Sequence, residues 1–261
     1  MSEADGTQHI LVESREGVLC IRMNRPEKKN ALTRAMYRIM ADAIAQADAD
    51  DAVRVILITG TGDCFTSGND LADFRDASTS DRERERNPFM PAISRAKKPV
   101  VAAVSGVAVG IGTTMLLHCD LVYAGTGARF QLPFVNLGLC PELGSSVLLP
   151  LLMGHQRAAE LLLLGEPFGA ESARELGIVN GVCADAELLE TAFGKARQLA
   201  AQPPASVRLT KALMKRAREV AVMTVMEEEI AHFGERLRSP EAAEAFQAFA
   251  ERRKPDFSRF K

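Results

Sequence analysis

The sequence feature that most constrains the fold is an uncharged run, PVVAAVSGVAVGIGTTMLLHC, at 99–119. A run of this length could cross a bilayer as a helix. However, it begins with proline and contains three glycines, several hydroxyl side chains and a histidine. This composition favours a buried strand, a glycine turn and a short helix. We therefore expect the run to lie in the core of a globular domain.

Hydrophobic periodicity along the rest of the chain predicts an α/β protein, because strand patterns alternate with helix patterns. Thr33 is a plausible N-cap for the first long helix. The strands are predicted within 9–24 (two strands around a turn), 53–60, 98–106, 120–125 and 178–183, and the later helices at 145–153, 156–164, 170–176, 206–238 and 240–253. Because the composition changes after LAAQPPAS, we divide the chain into a body at 1–201 and a helical region at 202–261.

Composition excludes several classes of protein. The 261 residues are 47% hydrophobic and carry a net charge of −2, so a large core is expected and no basic field for nucleic acid. The five cysteines contain no CxxC and the four histidines have no ligand spacing, so we expect neither disulfides nor a metal site. The acidic N-terminus has no secretory pattern, which predicts a cytoplasmic protein.

The segment FVNLGLCPELGSS at 134–146 contains one carboxylate, Glu142, in apolar surroundings. A buried carboxylate without a partner takes up a proton or serves where its raised proton affinity is useful, so Glu142 is a catalytic candidate. The alternative is an exposed acid in the first turn of a helix that starts at Pro141.

Two glycine turns, CFTSGNDL at 64–71 and SGVAVGIGTTM at 105–115, each follow a predicted strand. Glycine there permits a sharp turn or a close approach to a ligand, and helices that begin at these turns would direct free amides toward one place. The second turn is not a dinucleotide-binding GxGxxG loop, because residue 115 is methionine.

Five stretches together resemble the enoyl-CoA hydratase/isomerase (crotonase) superfamily over nearly the whole chain. They are NRPEKKNALT, CFTSGNDL, KPVVAAVSGVAVGIGTTMLLHCDLVYAG, FQLPFVNLGLCPELGSS and FQAFAERRKPDF. The resemblance implies a crotonase-like body of repeated β-β-α turns with a C-terminal helical trimerisation region. It also implies an acyl-CoA thioester substrate, a homotrimer or hexamer, and no cofactor beyond the coenzyme A of the substrate.

By the same resemblance, the backbone amides of Asn69 and Ile111 hold the thioester oxygen. Removing a proton beside a thioester places negative charge on that oxygen, and preorganised donors stabilise the resulting enolate. The two glutamates of the hydratases are replaced here by Thr114 and Phe134. CPELGSS instead matches the Δ3,Δ2-enoyl-CoA isomerase branch, which makes Glu142 the expected base that moves a double bond from the 3,4 to the 2,3 position.

The resemblance also suggests residues that bind the substrate. Lys28 and Lys29, with Arg25, supply cations for the coenzyme A phosphates. Phe249 and Arg252 approach coenzyme A on a neighbouring subunit, unless the basic residues only favour the end of a helix. Thr114 holds a water, caps its helix or is a hydroxyl of the core, and Phe134 lines the acyl pocket. The full expected set is Lys28, Lys29, Ser67, Gly68, Leu71, Gly110, Thr114, Phe134, Phe249 and Arg252.

Two other functions stay open at this point. A hydratase or other lyase of the same superfamily would use Glu142 or a water held by Thr114. A non-catalytic acyl-CoA binder would explain the two missing glutamates, although both donor turns and the third carboxylate are present.

Overall fold

The computed structural model describes residues 8–70, 72 and 87–260. Leu71, one of the expected substrate-binding residues, and most of the segment that follows it lie outside the described residues. The main sheet has six strands: β1 (Ile10–Arg15), β2 (Val18–Met23), β3 (Val55–Gly60), β4 (Val100–Val104), β6 (Leu121–Gly125) and β9 (Gly181–Cys183), in the order β1-β2-β3-β4-β6-β9. The first pair is antiparallel and the other neighbours are parallel.

The central strands are buried on both faces, which explains their continuous apolar sequence. In β3, Ile56 and Ile58 pack into the larger core on one face, whereas Val55 and Leu57 pack into a second core on the other. The side chains of β4 alternate between the same two cores, so the sheet lies between two helical layers. The predicted strands at 53–60, 98–106 and 120–125 are confirmed with shorter bounds.

The helices complete both layers. Thr33 caps α1 (Arg34–Ala49), as predicted, by accepting a hydrogen bond from the Met36 amide at 3.3 Å. The others are α2 (Phe89–Arg95), α3 (Ile111–Thr114), α4 (Ser145–Met153), α5 (His155–Ala159), α6 (Ala170–Glu175), α7 (Leu188–Ala200), α8 (Pro204–Leu237) and α9 (Pro240–Ala250). Within the described ranges no helix is long and apolar enough to cross a membrane.

The sequence interpretation missed a second, smaller sheet. Strands β5 (Val107–Val109), β7 (Arg129–Gln131) and β8 (Phe168–Gly169) form it in the order β5-β7-β8. These strands have two or three residues each, too few for a period of two to be visible in sequence. Their importance is positional, because β5 directly precedes Gly110 and fixes the second glycine turn.

Helix α8 is joined to the body by a buried ion pair. Lys211 Nζ lies 2.6 Å from Asp120 Oδ2 and donates to the Lys98 carbonyl at 2.7 Å. Asp120 also accepts from the Val100 amide at 2.8 Å, where β4 begins. The proposed boundary near residue 202 thus separates regions of different composition that pack directly on each other.

Candidate active site

The two glycine turns lie side by side. The Thr66 amide donates to the Val107 carbonyl at 3.0 Å, and the Val109 amide donates to the Thr66 carbonyl at 3.1 Å. Gly68 has a φ of 91°, and a Cβ at this position would lie 2.8 Å from the Val109 oxygen. Only glycine therefore permits both this backbone conformation and this close approach.

The backbone amides of Asn69 and Ile111 are left available at these turns. Leu32 pairs with the residues on either side of Asn69: its amide donates to the Gly68 carbonyl at 2.8 Å, and its carbonyl accepts from the Asp70 amide at 2.9 Å. The Asn69 amide takes no part in this pairing. Ile111 is the first residue of α3, and an amide there has no acceptor in its own helix. Neither N–H finds an acceptor in the described part of the chain.

Gly110 sets the direction of the Ile111 amide. Its φ of 56° and ψ of −117° suit only glycine, yet a Cβ there would meet no atom of the described residues within 4 Å. The space beside it is therefore open, and the requirement for glycine comes from the backbone alone. Ile111 itself is buried, so its side chain belongs to the core while its amide lies at the turn.

The segment with Lys28 and Lys29 borders the first turn. The Ser67 amide donates to the Lys29 carbonyl at 2.9 Å, and both lysine side chains are exposed. Buried Asn30 fixes the segment, because its Nδ2 donates to the Thr61 and Cys64 carbonyls and its Oδ1 accepts from the Arg25 amide. The structure thus brings Lys28, Lys29, Ser67 and Gly68 together.

Side chains around Asn69 and Asp70 hold the first turn in place. Tyr37, on α1, donates its hydroxyl to Asn69 Oδ1 at 2.5 Å. Arg25 Nη1 pairs with Asp70 Oδ2 at 2.5 Å, so this guanidinium is engaged by a carboxylate. Asp70 Oδ1 also accepts from the Ala72 amide at 2.9 Å, a hydrogen bond typical of a helix N-cap.

Glu142 is buried, and the alternative of an exposed acid in the first turn of a helix is wrong. Its exposure is 3%, and α4 begins only at Ser145. The side-chain Oε1 has no hydrogen-bond partner among the described residues. Desolvation, and secondarily the charge of Glu229, raise the Glu142 pKa to about 8. Such a group takes up a proton readily near neutral pH.

The loop that carries Glu142 is held in an uncommon conformation from two sides. Leu143 and Gly144 both have positive φ values, 59° and 69°, and a left-handed Leu is unfavourable unless its surroundings impose it. On one side, His118 Nε2 lies 2.8 Å from the Leu143 carbonyl oxygen. On the other, Glu229 of α8 accepts from the Gly144 amide at 2.6 Å and from the Ser146 amide at 3.0 Å.

His118 also connects Glu142 with the second glycine turn. The 3-10 helix Met115–His118 continues directly from α3, which begins at Ile111. One short helical segment therefore runs from the predicted oxyanion amide to the residue that contacts the Glu142 loop. His118 is buried, as expected for a core histidine, and burial lowers its pKa to about 4.

Thr114 and Phe134, which replace the two hydratase glutamates, are both buried. Thr114 Oγ1 makes no hydrogen bond in the described residues, so the hydroxyl does not cap its helix. It is one of the few buried polar atoms left without a partner there, as is Glu142 Oε1. A buried unpaired hydroxyl is costly unless a ligand or water completes it.

Phe249 and Arg252 lie at the end of α9. Phe249 is 65% exposed and Arg252 is exposed with a φ of 54°. Within the described ranges, no hydrogen bond or ion pair joins them to the other expected site residues. The single chain therefore leaves this part of the expected site on the surface.

A cavity of about 390 Å³ lies elsewhere, between α8 and the end of α2. His118 and Leu148 contribute to its wall, and basic side chains surround it: Arg95, Lys97, Arg208, Lys211, Lys215 and Arg218. Among the described residues, none of the expected catalytic or substrate-binding residues lines this cavity, so it is distinct from the region of the glycine turns.

Sequence reasoning missed Glu229, Tyr37 and Asn30. A signal for Glu229 existed: it follows Val222 and Met226 at helical spacing, which places it on the buried face of α8. The preceding Glu227 and Glu228 are exposed, and the run of three acids concealed that difference.

Comparison with known proteins defines the class of enzyme. A family model described as enoyl-CoA hydratase/isomerase matches residues 13–259, so the chain belongs to the enoyl-CoA hydratase/isomerase family. This confirms the crotonase resemblance and, with the solved structures below, the expected fold. Acyl-CoA thioesters fit this family as substrates.

Particular relatives cover almost the whole chain. It is 35% identical to the 1,2-epoxyphenylacetyl-CoA isomerase of Escherichia coli K12, over 96% of this chain and 98% of that protein. It is 36% identical to enoyl-CoA delta isomerase 2 of Rattus norvegicus, over 96% of this chain and 66% of the relative. The structure of Pseudomonas aeruginosa OdaA superposes with a TM-score of 0.90 at 51% identity, covering 93% and 99% of the two chains.

Proposed function

We propose that this protein is a Δ3,Δ2-enoyl-CoA isomerase that moves the double bond by proton transfer through a single carboxylate. The observation that carries the proposal is Glu142, a buried carboxylate whose Oε1 has no hydrogen-bond partner among the described residues and whose pKa is raised by burial. The reaction needs one group that accepts a proton and then returns it, and a pKa near the working pH suits both steps.

In the proposed reaction, Glu142 takes a proton from C2 of a 3-enoyl-CoA. The electron pair of the broken C–H bond moves into the C1–C2 bond and places negative charge on the thioester oxygen. The amides of Asn69 and Ile111 stabilise this dienolate by hydrogen bonds. Glu142 then returns the proton to C4, where the electron pair of the C3–C4 double bond forms the new C–H bond. The C1–C2 pair moves to form the C2–C3 double bond, the negative charge on oxygen restores the thioester carbonyl, and the conjugated 2-enoyl-CoA is released.

The remaining groups fit an acyl-CoA substrate. Exposed Lys28 and Lys29 border the first turn, where they are available to coenzyme A phosphates. Phe134 is part of the acyl pocket. Phe249 and Arg252 act on coenzyme A bound to a neighbouring subunit of a trimer or hexamer. The enzyme requires no metal or separate cofactor, works in the cytoplasm and serves the oxidation of unsaturated fatty acids.

Hydration is the second candidate, and one observation favours it. Thr114 Oγ1 is buried and has no hydrogen-bond partner in the described part of the chain, so a water molecule bound there would complete its hydrogen bonding. Addition of that water to a 2-enoyl-CoA would still need Glu142 as base or acid, because both usual glutamate positions lack a carboxylate.

The test compares wild type, Glu142→Gln and the control Glu175→Gln, which changes an exposed glutamate of α6. We expect Glu142→Gln to lower kcat for 3-enoyl-CoA isomerisation by roughly 10²–10⁴-fold, and the control to match wild type. Coenzyme A affinity, measured by calorimetry, should be the same in all three proteins.

Each other result selects a different conclusion. Unchanged turnover in Glu142→Gln removes Glu142 from the role of base. Faster water addition to 2-enoyl-CoA than double-bond movement in wild type selects the hydratase. Tight coenzyme A binding without turnover of either substrate selects a non-catalytic binder.

A further inference from the structure

Glu229 is a second buried carboxylate close to Glu142. It lies on α8, far along the sequence from the glycine turns, and is 6% exposed. Its Oε2 accepts from the Gly144 amide at 2.6 Å, while its Oε1 accepts from the Ser146 amide at 3.0 Å and from Ser146 Oγ at 2.6 Å. The donors belong to the segment that follows Glu142: Gly144 ends the loop, and Ser146 lies in the first turn of α4.

The donors require an ionised carboxylate at this position. Both oxygens of Glu229 act as acceptors, and two of the three partners are backbone N–H groups that can only donate. A side-chain amide would direct its own NH₂ group against one of these N–H groups. Burial raises the pKa of Glu229, and the three donors oppose this shift because they stabilise the ionised carboxylate.

That charge is not neutralised by a cation. Within residues 8–70, 72 and 87–260, Glu229 forms no ion pair with Lys, Arg or His. The donors stabilise the ionised form but carry no net charge. The charge of ionised Glu229 raises the Glu142 pKa, and the repulsion between two carboxylates favours protonation of Glu142, whose Oε1 has no hydrogen-bond donor among the described residues.

The other titratable groups around the loop do not replace this effect. On the 3-10 helix, burial lowers the His118 pKa to about 4, so the ring is neutral at neutral pH. Cys140, on the loop itself, has a pKa raised by burial to about 11 and is a neutral thiol. On α8, Lys211 pairs with Asp120, Lys215 donates to the His118 carbonyl, and Arg236 donates to the Gly138 carbonyl at 3.1 Å, so none of these cations forms an ion pair with Glu229 in the described part of the chain.

We propose that Glu229 is a positioning residue of the isomerase: it fixes the Glu142 loop through three hydrogen bonds and holds a negative charge beside the base. This inference rests on the proposed function. Proton uptake by Glu142 removes one of two neighbouring negative charges, so the arrangement strengthens Glu142 as a base. The C-terminal helix thereby contributes to proton transfer without touching the substrate.

The test replaces Glu229 by Gln and uses Glu228→Gln as matched control, since Glu228 is the adjacent, exposed acid on the same helix. The readouts are the pH dependence of kcat and KM for 3-enoyl-CoA and the titration of the Glu142 carboxyl by infrared difference spectroscopy. The Glu142 signal is assigned by its loss in Glu142→Gln.

We expect Glu229→Gln to shift the titration of Glu142 to lower pH by about one unit, because a like charge has been removed. The acid limb of the kcat profile should move to lower pH with it. The maximum of kcat on the plateau of the profile should fall, and KM should stay unchanged. Glu228→Gln should match wild type in every measurement. An unshifted Glu142 titration in folded Glu229→Gln overturns the proposal.

A second variant tests the proposal independently of folding, and one outcome separates it from the proposed isomerase function. Because Glu229→Gln removes several buried hydrogen bonds, Glu229→Asp serves as a second variant that keeps the charge but withdraws it from the loop. It should lower kcat while the acid limb stays in place, and an unchanged kcat also overturns the proposal. If the Glu142 titration shifts as expected but wild type has no isomerase activity, the proposed function fails and the charge coupling stands.

Discussion

Burial of Glu142 makes a quantitative prediction about stability. The folded-state pKa of about 8 lies above the unfolded value of 4.5, so the folded protein binds a proton that the unfolded chain releases between these two pH values. Stability from this source is fully present below pH 4.5 and is lost as pH rises toward 8. Each unit of pKa difference corresponds to about 1.4 kcal/mol, so the loss amounts to about 5 kcal/mol.

Glu142→Gln removes this titration while keeping the shape of the side chain. The free energy of unfolding of the variant should therefore exceed that of wild type by an increment that grows by about 1.4 kcal/mol per pH unit across the window and then stays constant above it. Other shifted groups, such as His118, occur in both proteins and cancel in the difference.

The assay is urea unfolding of both proteins at the same protein concentration, at intervals between about pH 5 and pH 9. Glu175→Gln is the control, and its difference from wild type should not change with pH. A difference between Glu142→Gln and wild type that is constant across this range would refute the reasoning, because it would mean that Glu142 titrates alike in the folded and unfolded chains.

Two further predictions concern the turn and the body. Gly68→Ala should lower kcat/KM by roughly 10²–10³-fold, because its Cβ would press on the Val109 oxygen and displace the Asn69 amide. Gly154→Ala is the control and should keep its activity, because Gly154 has a similar φ of 84° but no atom of the described residues lies within 4 Å of the added Cβ. Equal activity of the two variants would contradict the role of this turn. Lys211→Met should lower the free energy of unfolding, measured in urea, by about 3–5 kcal/mol, because it leaves Asp120 without its buried cation. Adding Asp120→Asn to this variant should recover part of the loss. A decrease within experimental error would show that the ion pair contributes nothing to stability.

The main sheet could be predicted because its strands are buried on both faces. The runs around β3 and β4 are continuously apolar and end at glycine, and the structure confirms both strands. Helix α7 was missed although Leu188, Ala192, Phe193 and Ala196 recur at helical spacing on its buried face. This stripe is about as pronounced as that of α1, so the helix could have been predicted from the same pattern.

The parts of the candidate site that are formed by a few consecutive residues could be predicted from the sequence. The glycine turns and the isolated Glu142 could be found because a sharp turn or a lone acid is visible within a few residues. Glu229 could not be assigned in this way, since its partners Gly144 and Ser146 are more than eighty residues distant, and only the packing of α8 brings them together. The helix at 145–153 was predicted and is confirmed, whereas the left-handed conformation of Leu143 and Gly144 just before it could not be predicted because tertiary contacts impose it.

Helix α8 joins two tasks that a modular view of the chain would assign to separate parts. One end anchors to the start of β4 through Lys211, and a position several turns later carries Glu229 to the loop of the base. Exchanging the C-terminal helices between relatives would therefore also exchange Glu229, which acts on the base, together with any subunit contacts. Chimaeras at this junction should alter the acidity of the base even when both donor enzymes share every residue of the two glycine turns.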